Sequence, residues 1–228
     1  MAAKTSAQLT SANASIVEQV SGAGGTSNIT GTLQEQLKPS PLISANFHIA
    51  GASQSLALSE VITNTDIYLK IPSLAQQVGK PWIKIPVTAL KLGKSTLSQL
   101  LRSLSRTNNP LQQTALFKTG RNLRVVGTEV IGGVSTTHYS GAFSPAAALK
   151  QLPGSLRASL GTILKAVHGD VRFDIWMDAQ HHTRKVRTVE QVSSSTVTSN
   201  ITFSGINAPV HITPPAASQV ATLPGSAF

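Results

Sequence analysis

The chain of 228 residues contains no cysteine. Disulfides and thiolate metal sites are thereby excluded, while compartment stays open, because many envelope proteins also lack cysteine. Aromatic residues are scarce at 4%, with two Trp and two Tyr, too few for the stacking platforms of a nucleic-acid binder. Charged residues make up only 12%, against roughly a quarter in an average soluble domain. Acidic groups are the scarcest: 9 Asp plus Glu stand against 19 Lys plus Arg, a net charge of +10. The basic residues are scattered rather than clustered, so their excess predicts attraction to an anionic membrane surface and not to nucleic acid. No apolar run reaches the ~18–20 residues of a membrane span. The opening MAAKTSAQ lacks the apolar core of a signal peptide. Composition thus leaves two readings, a cytoplasmic chain or a mature fragment whose leader was removed and a Met added.

Catalytic signatures are missing as well. The glycines match neither a P-loop nor a dinucleotide-binding fingerprint, and there is no G-x-S-x-G elbow. His138 stands beside the hydroxyls of Ser135, Thr136 and Thr137, but on a strand these side chains alternate between faces, which argues against a triad. His181-His182 lies in a polar connector; adjacent histidines lack the i, i+4 geometry of a zinc pair, and no carboxylate cluster backs them. A solvated turn is expected there, with no metal or other cofactor. Asp174 and Asp178 fall on the non-apolar face of one strand beside Arg172, where surface ion pairing explains them. The chain reads as a non-enzyme.

What is present is alternation. Val171, Phe173, Ile175 and Met177 face one side of an extended run, and Arg172, Asp174, Trp176 and Asp178 the other, the period of a strand with one buried face. AQHHT then turns the chain into a second strand over 184–192, with Val186 or Val189 facing in. Before this hairpin, Gly132-Gly133 signals another, since both residues tolerate the positive φ of a tight primed turn. Thr137, Tyr139, Gly141 and Phe143 alternate on its return strand. Val197, Ser199, Ile201 and Phe203 form a last strand, and Pro209, Pro214 and Pro215 mark an extended tail with at most a helical turn over 216–220. Nearer the start, Ile29, Leu33 and Leu37 share a face of 26–38. Ile43, Ala45, Phe47 and Ile49, then Leu56 and Leu58, then Ile67, Leu69 and Ile71 continue as an antiparallel meander. Residues 81–86 read as a short edge strand bracketed by prolines.

Helical spacing appears between and around these runs. Leu9, Ala12, Ile16 and Val20 predict a helix over 6–20, followed by a flexible SGAGGTS connector. Residues 73–78 form a short helix capped by Ser73 and ended by Gly79. Leu97, Leu100, Leu101 and Leu104 make an amphipathic stripe, and Asn109-Pro110 starts another helix. Ser144-Pro145 caps a short Ala-rich helix to Leu152, and Leu156, Leu160, Ile163, Leu164 and Val167 line a helix over 155–167 that His168-Gly169 ends.

These elements make one α+β domain over 26–220, with the helix and connector over 1–25 before it and a tail over 221–228. The economical arrangement is a curved antiparallel sheet of about ten strands with amphipathic helices covering its concave face. Inward positions are Leu33, Phe47, Leu58, Leu69, Ile85, Phe143, Phe173, Ile175 and Phe203, facing Leu97, Leu101, Leu104, Leu160 and Leu164 on the helices. With so few aromatics, these layers either fill into a dry core, the default reading of the pattern, or leave an aliphatic cavity of the kind that takes acyl chains.

Three stretches carry a resemblance. DIYLKIPSL (66–74) with GKPWIKI (79–85) is similar to a strand, short helix and K-P-W block of actinobacterial envelope lipoproteins. VGTEVIGGVSTTHYSG (126–141) resembles their G-x-E-x-(I/V)-x-G-V-x-T-x-H-Y-x-G hairpin, and FDIWMD (173–178) with RKV (184–186) resembles their V-W-(I/V)-D…R-K hairpin. The match covers most of residues 26–215 and points to the LolA/LolB-like superfamily that includes the LprG and LppX lipoproteins. The resemblance implies a half-barrel of about 10–11 strands closed by helices, a cavity between them, and a non-enzymatic carrier of lipids or lipoprotein acyl chains, without cofactor. It also implies an extracytoplasmic place in the cell envelope and an anchor through a lipidated N-terminal cysteine. This chain has no cysteine, so the anchor is expected upstream of its start, with Ala2 to Ser6 near the beginning of the mature protein. The expected partners are a lipid or acyl-chain ligand and an anionic membrane, with the protein a monomer. The alternative is an envelope interaction or sensor module of the RseB kind on the same fold, and a hydrolase centred on His138 is third.

Overall fold

β-Branched and hydroxyl-bearing residues dominate the chain, and they build one sheet. The structure is a computed structural model and describes residues 9–51, 55–87, 117, 119–151, 157, 161 and 164–222. The strands are β1 (Ser11–Gly22), β2 (Gly25–Gln36), β3 (Leu42–Ala50), β4 (Ser55–Ile62), β5 (Asp66–Lys70), β6 (Trp82–Pro86), β7 (Arg121–Ile131), β8 (Val134–Phe143), β9 (Val167–Met177), β10 (Thr183–Val192), β11 (Ser195–Ser204) and β12 (Val220–Thr222). Helix α1 (Pro72–Val78) lies between β5 and β6, and α2 (Pro145–Gln151) follows β8. The spatial order is β12-β6-β5-β4-β3-β2-β1-β11-β10-β9-β8-β7, a single open, curved sheet of 12 strands. The α+β half-barrel read from the sequence is the observed fold.

Two meanders make this sheet. One runs from β1 to β6 and the other from β7 to β11, each strand pairing antiparallel with the next, β8 with β9 included although α2 lies between them in sequence. They join where β1 pairs antiparallel with β11, Ala14 opposite Phe203 and Ile16 opposite Ile201. Of the helix expected over 6–20, residues 11–20 are instead strand β1, and residues 6–8 lie outside the described residues. The period-two row Ala12, Ala14, Ile16 and Val20 fits a strand equally well, and pairing on both sides decides for β. The connector after it is the tight β1–β2 turn, Gly22 opposite Gly25.

Several local expectations are refined. Ser73 does not cap α1; Ile71 holds the N-cap position without a side-chain bond, and Pro72 enters the first turn, where its missing N–H is no loss. Gly79 ends α1 in the left-handed conformation at φ 67°, its N–H donating to the Ala75 carbonyl at 3.0 Å. Gly132 and Gly133 take φ values of 57° and 80°, the primed turn expected between β7 and β8. β9 begins at Val167, so His168-Gly169 lies within the strand rather than ending a helix; Gly169, at φ 73°, sits where the β9–β10 register slips. β6 is not the edge: β12, hidden in the proline-rich tail, pairs with it in parallel, Val220 opposite Trp82. The helices expected around 97–104 and after 110 lie outside the described residues, as does most of that over 155–167, of which Leu164 to Ala166 are helical.

The core sits on one face of the sheet. A larger cluster holds Leu33, Phe143, Val171, Phe173, Ile175, Val186, Ile201 and Phe203, and is topped by Ala148 of α2 and Leu164. A smaller one holds Leu58, Ile67, Leu69, Ile83 and Ile85. Val186, opposite Ile175, settles the β10 register left open by the sequence.

Candidate functional site

The inner face is built by alternation, strand by strand. Of the residues expected to line it, Leu33, Phe143, Leu164, Phe173, Ile175 and Phe203 fall in the larger cluster and Leu58, Leu69 and Ile85 in the smaller. Phe47 packs against both and joins them. Its ring lies over Gly31, the residue opposite it on β2; a Cβ there would meet Phe47 Cδ1 at 2.5 Å. Phe173 lies likewise against Gly141 and packs at a tilt against Phe117 and Phe143, ring centroids 4.6 and 6.1 Å away. Glycine thus lets a large ring lie flat on the pleat. Leu97, Leu101, Leu104 and Leu160 lie outside the described residues.

Sequence reading missed the acids on this face. Glu35 and Glu60 are buried at 2% and 1% exposure. Burial raises the Glu60 carboxyl from 4.5 to about 7. Glu18 is raised by burial, and Glu190 by burial and by the charge of Glu18. The signal was available, since each interrupts an apolar row, but an isolated acid in such a row reads as a break in the pattern.

The inner face also reaches an open edge. β7 ends the sheet, and its Leu123, Val125, Val126 and Val130 are 52–69% exposed. On the opposite, polar face a groove of about 340 Å³ is lined by Asn13, Ser15, Thr32, Gln34, Asn46 and Thr202, among others. Its hydroxyl and amide lining does not suit an acyl chain.

The polar residues singled out in the sequence are held by structural bonds. His138 lies between two carboxylates, Nδ1 2.8 Å from Glu129 Oε1 and Nε2 3.0 Å from Asp174 Oδ1. Its ring stacks on Trp176 at 4.2 Å, and Lys185 Nζ sits 4.6 Å from the same indole. Thr136 spends its hydroxyl on the Glu129 carbonyl at 2.7 Å. Both His138 nitrogens face acids and neither faces a hydroxyl, unlike a nucleophile–base pair. Asp174 also meets Arg187 at 3.5 Å.

Asp178 is not a surface ion pair with Arg172. It is 3% exposed and organises the β9–β10 turn, accepting from the Gln180 and His182 N–H groups at 3.0 and 2.8 Å and from Arg184 Nε at 2.8 Å. Burial pushes its carboxyl up, but the His182 N–H and the Arg184 guanidinium outweigh that and hold it below the usual range. His182 Nδ1 lies 3.3 Å from the same carboxylate. Among the described residues no group of His, Asp and Glu is placed to hold a metal ion, and no helix is long and apolar enough to cross a membrane.

No protein-family model matches the sequence, and neither does any curated protein. Solved structures do match in shape. LprF from Mycobacterium bovis aligns over 95% of this chain and 93% of its own, at 17% identity and a TM-score of 0.55. The lipoprotein LppX of Mycobacterium tuberculosis aligns over 93% and 94%, at 18% identity and a TM-score of 0.50. At such identities the likeness is one of architecture, and it extends along nearly the whole of each chain. The chain has the LolA-like half-barrel fold of the LprG/LppX type.

Proposed function

We propose that this protein is an extracytoplasmic carrier that binds lipid, or the acyl chains of a lipoprotein, against the inner face of its sheet. The observation that carries this reading is the apolar layer running across that face from β6 to β8, with Phe47 bridging its two clusters. Each methylene of a chain buried there would gain roughly 0.8 kcal/mol, so a long tail binds tightly without many polar contacts. The fold shared with LprF and LppX supports the same reading. The net charge of +10 favours a position against anionic headgroups, and a lipidated cysteine upstream would anchor a monomer in the envelope. No step of catalysis is assigned to it, since the bonds around His138 and Asp178 are those of turn and strand stabilisation.

Extraction of the purified protein with organic solvent, followed by mass spectrometry, tests the proposal. A stoichiometric acyl species is the expected result and names the cargo class. A lipid-free protein that also ignores fluorescent fatty acids would sink it.

One observation favours a second reading. The β7 edge, which no other described strand pairs and which carries exposed valines, is the kind of strand to which a partner adds another. On that reading the fold serves as an envelope interaction or sensor module, and the same extraction would return no lipid.

A further inference from the structure

The inner face is apolar but not free of acids. Glu18, Glu35, Glu60 and Glu190 lie on it, while Glu129 alone among the glutamates pairs on the outer face with His138. Register fixes these positions. Glu60 is opposite Ala45 on β3 and Leu69 on β5, two residues along from buried Leu58. Glu35 is opposite Ala12 and Ile43, Glu18 opposite Ile29 and Ser199, and Glu190 opposite Val197. In a chain with only 9 acids and an excess of 10 positive charges, this concentration on the buried side runs against the usual partition of charge to water.

Glu60 is the extreme case. It is 1% exposed, and among the described residues neither carboxylate oxygen has a hydrogen-bond partner. The inner positions of the flanking strands are Ile43, Ala45, Phe47, Ile67 and Leu69, so neither flanking strand presents a cation to it. A buried carboxyl is costly in either protonation state when nothing bonds to it. Native interiors leave few such atoms unsatisfied, and one of the recognised causes is a partner absent from the structure.

We propose that Glu60 is the polar anchor of the ligand, and that the ligand offers it a hydrogen-bond donor, a hydroxyl or an ammonium, rather than a carboxylate or phosphate. This rests on the carrier reading of the inner face and narrows its cargo. The apolar clusters on both sides take the chain, and Glu60, unmatched among the described residues, takes the donor. Either protonation state of Glu60 retains an acceptor oxygen, so a hydroxyl is matched by both and an ammonium by the ionised form. Among the described residues an anion finds no cation beside Glu60 on the flanking strands.

The test compares three probes of equal chain length at pH 8, a monoacylglycerol, an alkylamine and a fatty acid, in displacing a neutral fluorescent naphthylamine. The overall positive charge of the protein biases the outcome toward the fatty acid, so the opposite preference is diagnostic. The monoacylglycerol and alkylamine are expected to bind about 10-fold to 100-fold more tightly than the fatty acid, the range of one buried bond to a charged group. In Glu60→Leu that preference collapses, while chain binding persists and the melting temperature stays at or above wild type. Glu60→Gln, close in shape, keeps the monoacylglycerol and loses the alkylamine; it also carries the comparison if the leucine variant fails to fold. A fatty acid bound as tightly as the others, or a preference that survives both substitutions, overturns the anchor and leaves the carrier reading standing. If wild type displaces the dye with none of the three, the carrier reading itself fails, and the anchor with it.

Discussion

This protein should lose stability as the pH rises through the window set by Glu60. Its carboxyl titrates near 4.5 in an unfolded chain and near 7 in the folded one, because burial penalises the charged form. Below pH 4.5 both states hold the proton and the group contributes no difference. Between 4.5 and 7 the folded state keeps a proton that the unfolded chain has lost, so stability falls with each step upward. Above 7 both are ionised and the loss is complete. At about 1.4 kcal/mol per pH unit, the window from 4.5 to 7 amounts to about 3.5 kcal/mol. That is a large fraction of the ~5–15 kcal/mol that holds a typical domain together. Glu18 and Glu190 are shifted in the same direction and add to the slope. Glu35, diagonal to Glu60 across β3, is the nearest acid sharing its face. Urea denaturation of wild type and Glu60→Gln at pH 5 and pH 8 isolates the effect, since the other titrations are common to both proteins. Wild type should lose about 2.5 kcal/mol more than the variant between the two conditions. Parallel profiles would refute the argument that this carboxyl is desolvated without compensation.

Other consequences are open to measurement. Asp178→Ala removes the acceptor for two backbone N–H groups and leaves Arg184 unpaired, at a cost of about 3 kcal/mol in urea denaturation. The contribution of Asp178 has the opposite pH sense to that of Glu60: its folded carboxyl is held low, so its stabilisation is present above the ordinary carboxylate range and disappears as pH falls through the folded value. Gly31→Ala drives a methyl into the Phe47 ring and should lower stability by about 1–3 kcal/mol, with Phe47→Leu relieving part of the loss; full additivity of the two substitutions would speak against the contact. Binding to anionic vesicles should weaken steeply as salt rises toward 0.5 M, as expected for a net charge of +10 with a Debye length of about 4 Å; sedimentation with vesicles that ignored salt would point to insertion of apolar groups instead.

The sequence made the sheet legible wherever apolar residues alternate without a gap. β3, β5, β8 and β9 follow directly from such rows, and the β7–β8 turn from its glycine pair. β1 was lost because Glu18 occupies an inner position between Ile16 and Val20, which leaves a spacing that also fits a helix. A local period cannot choose between the two; partners nearly two hundred residues away in β11 do. β12 was lost for the opposite reason, since three residues carry no period at all and its pairing with β6 depends on where the tail is led. The lining residues were legible as a face, and every described one packs in the two clusters or, like Phe47, between them. Whether a chain binds there is not written in alternation, because a filled core and a lipid site present the same pattern. The acids were visible as letters but not as interior groups, since burial depends on the register that places Glu60 between Ala45 and Leu69.

The seam between β1 and β11 has a consequence for the order in which this protein assembles. During synthesis β1 finds β2 at once, yet its other edge stays unpaired until Ser195 to Ser204 have been made. Contacts this distant in sequence carry a loop-closure penalty that slows folding. The first meander must therefore persist with an exposed edge while the second is completed, and β1–β11 pairing is the event that merges them. A chain cut after β10 would retain most of its strands and lose this seam. Such a product would newly open the edges of β1 and β10, and that of β6 through the loss of β12, and self-association rather than simple unfolding is its natural fate.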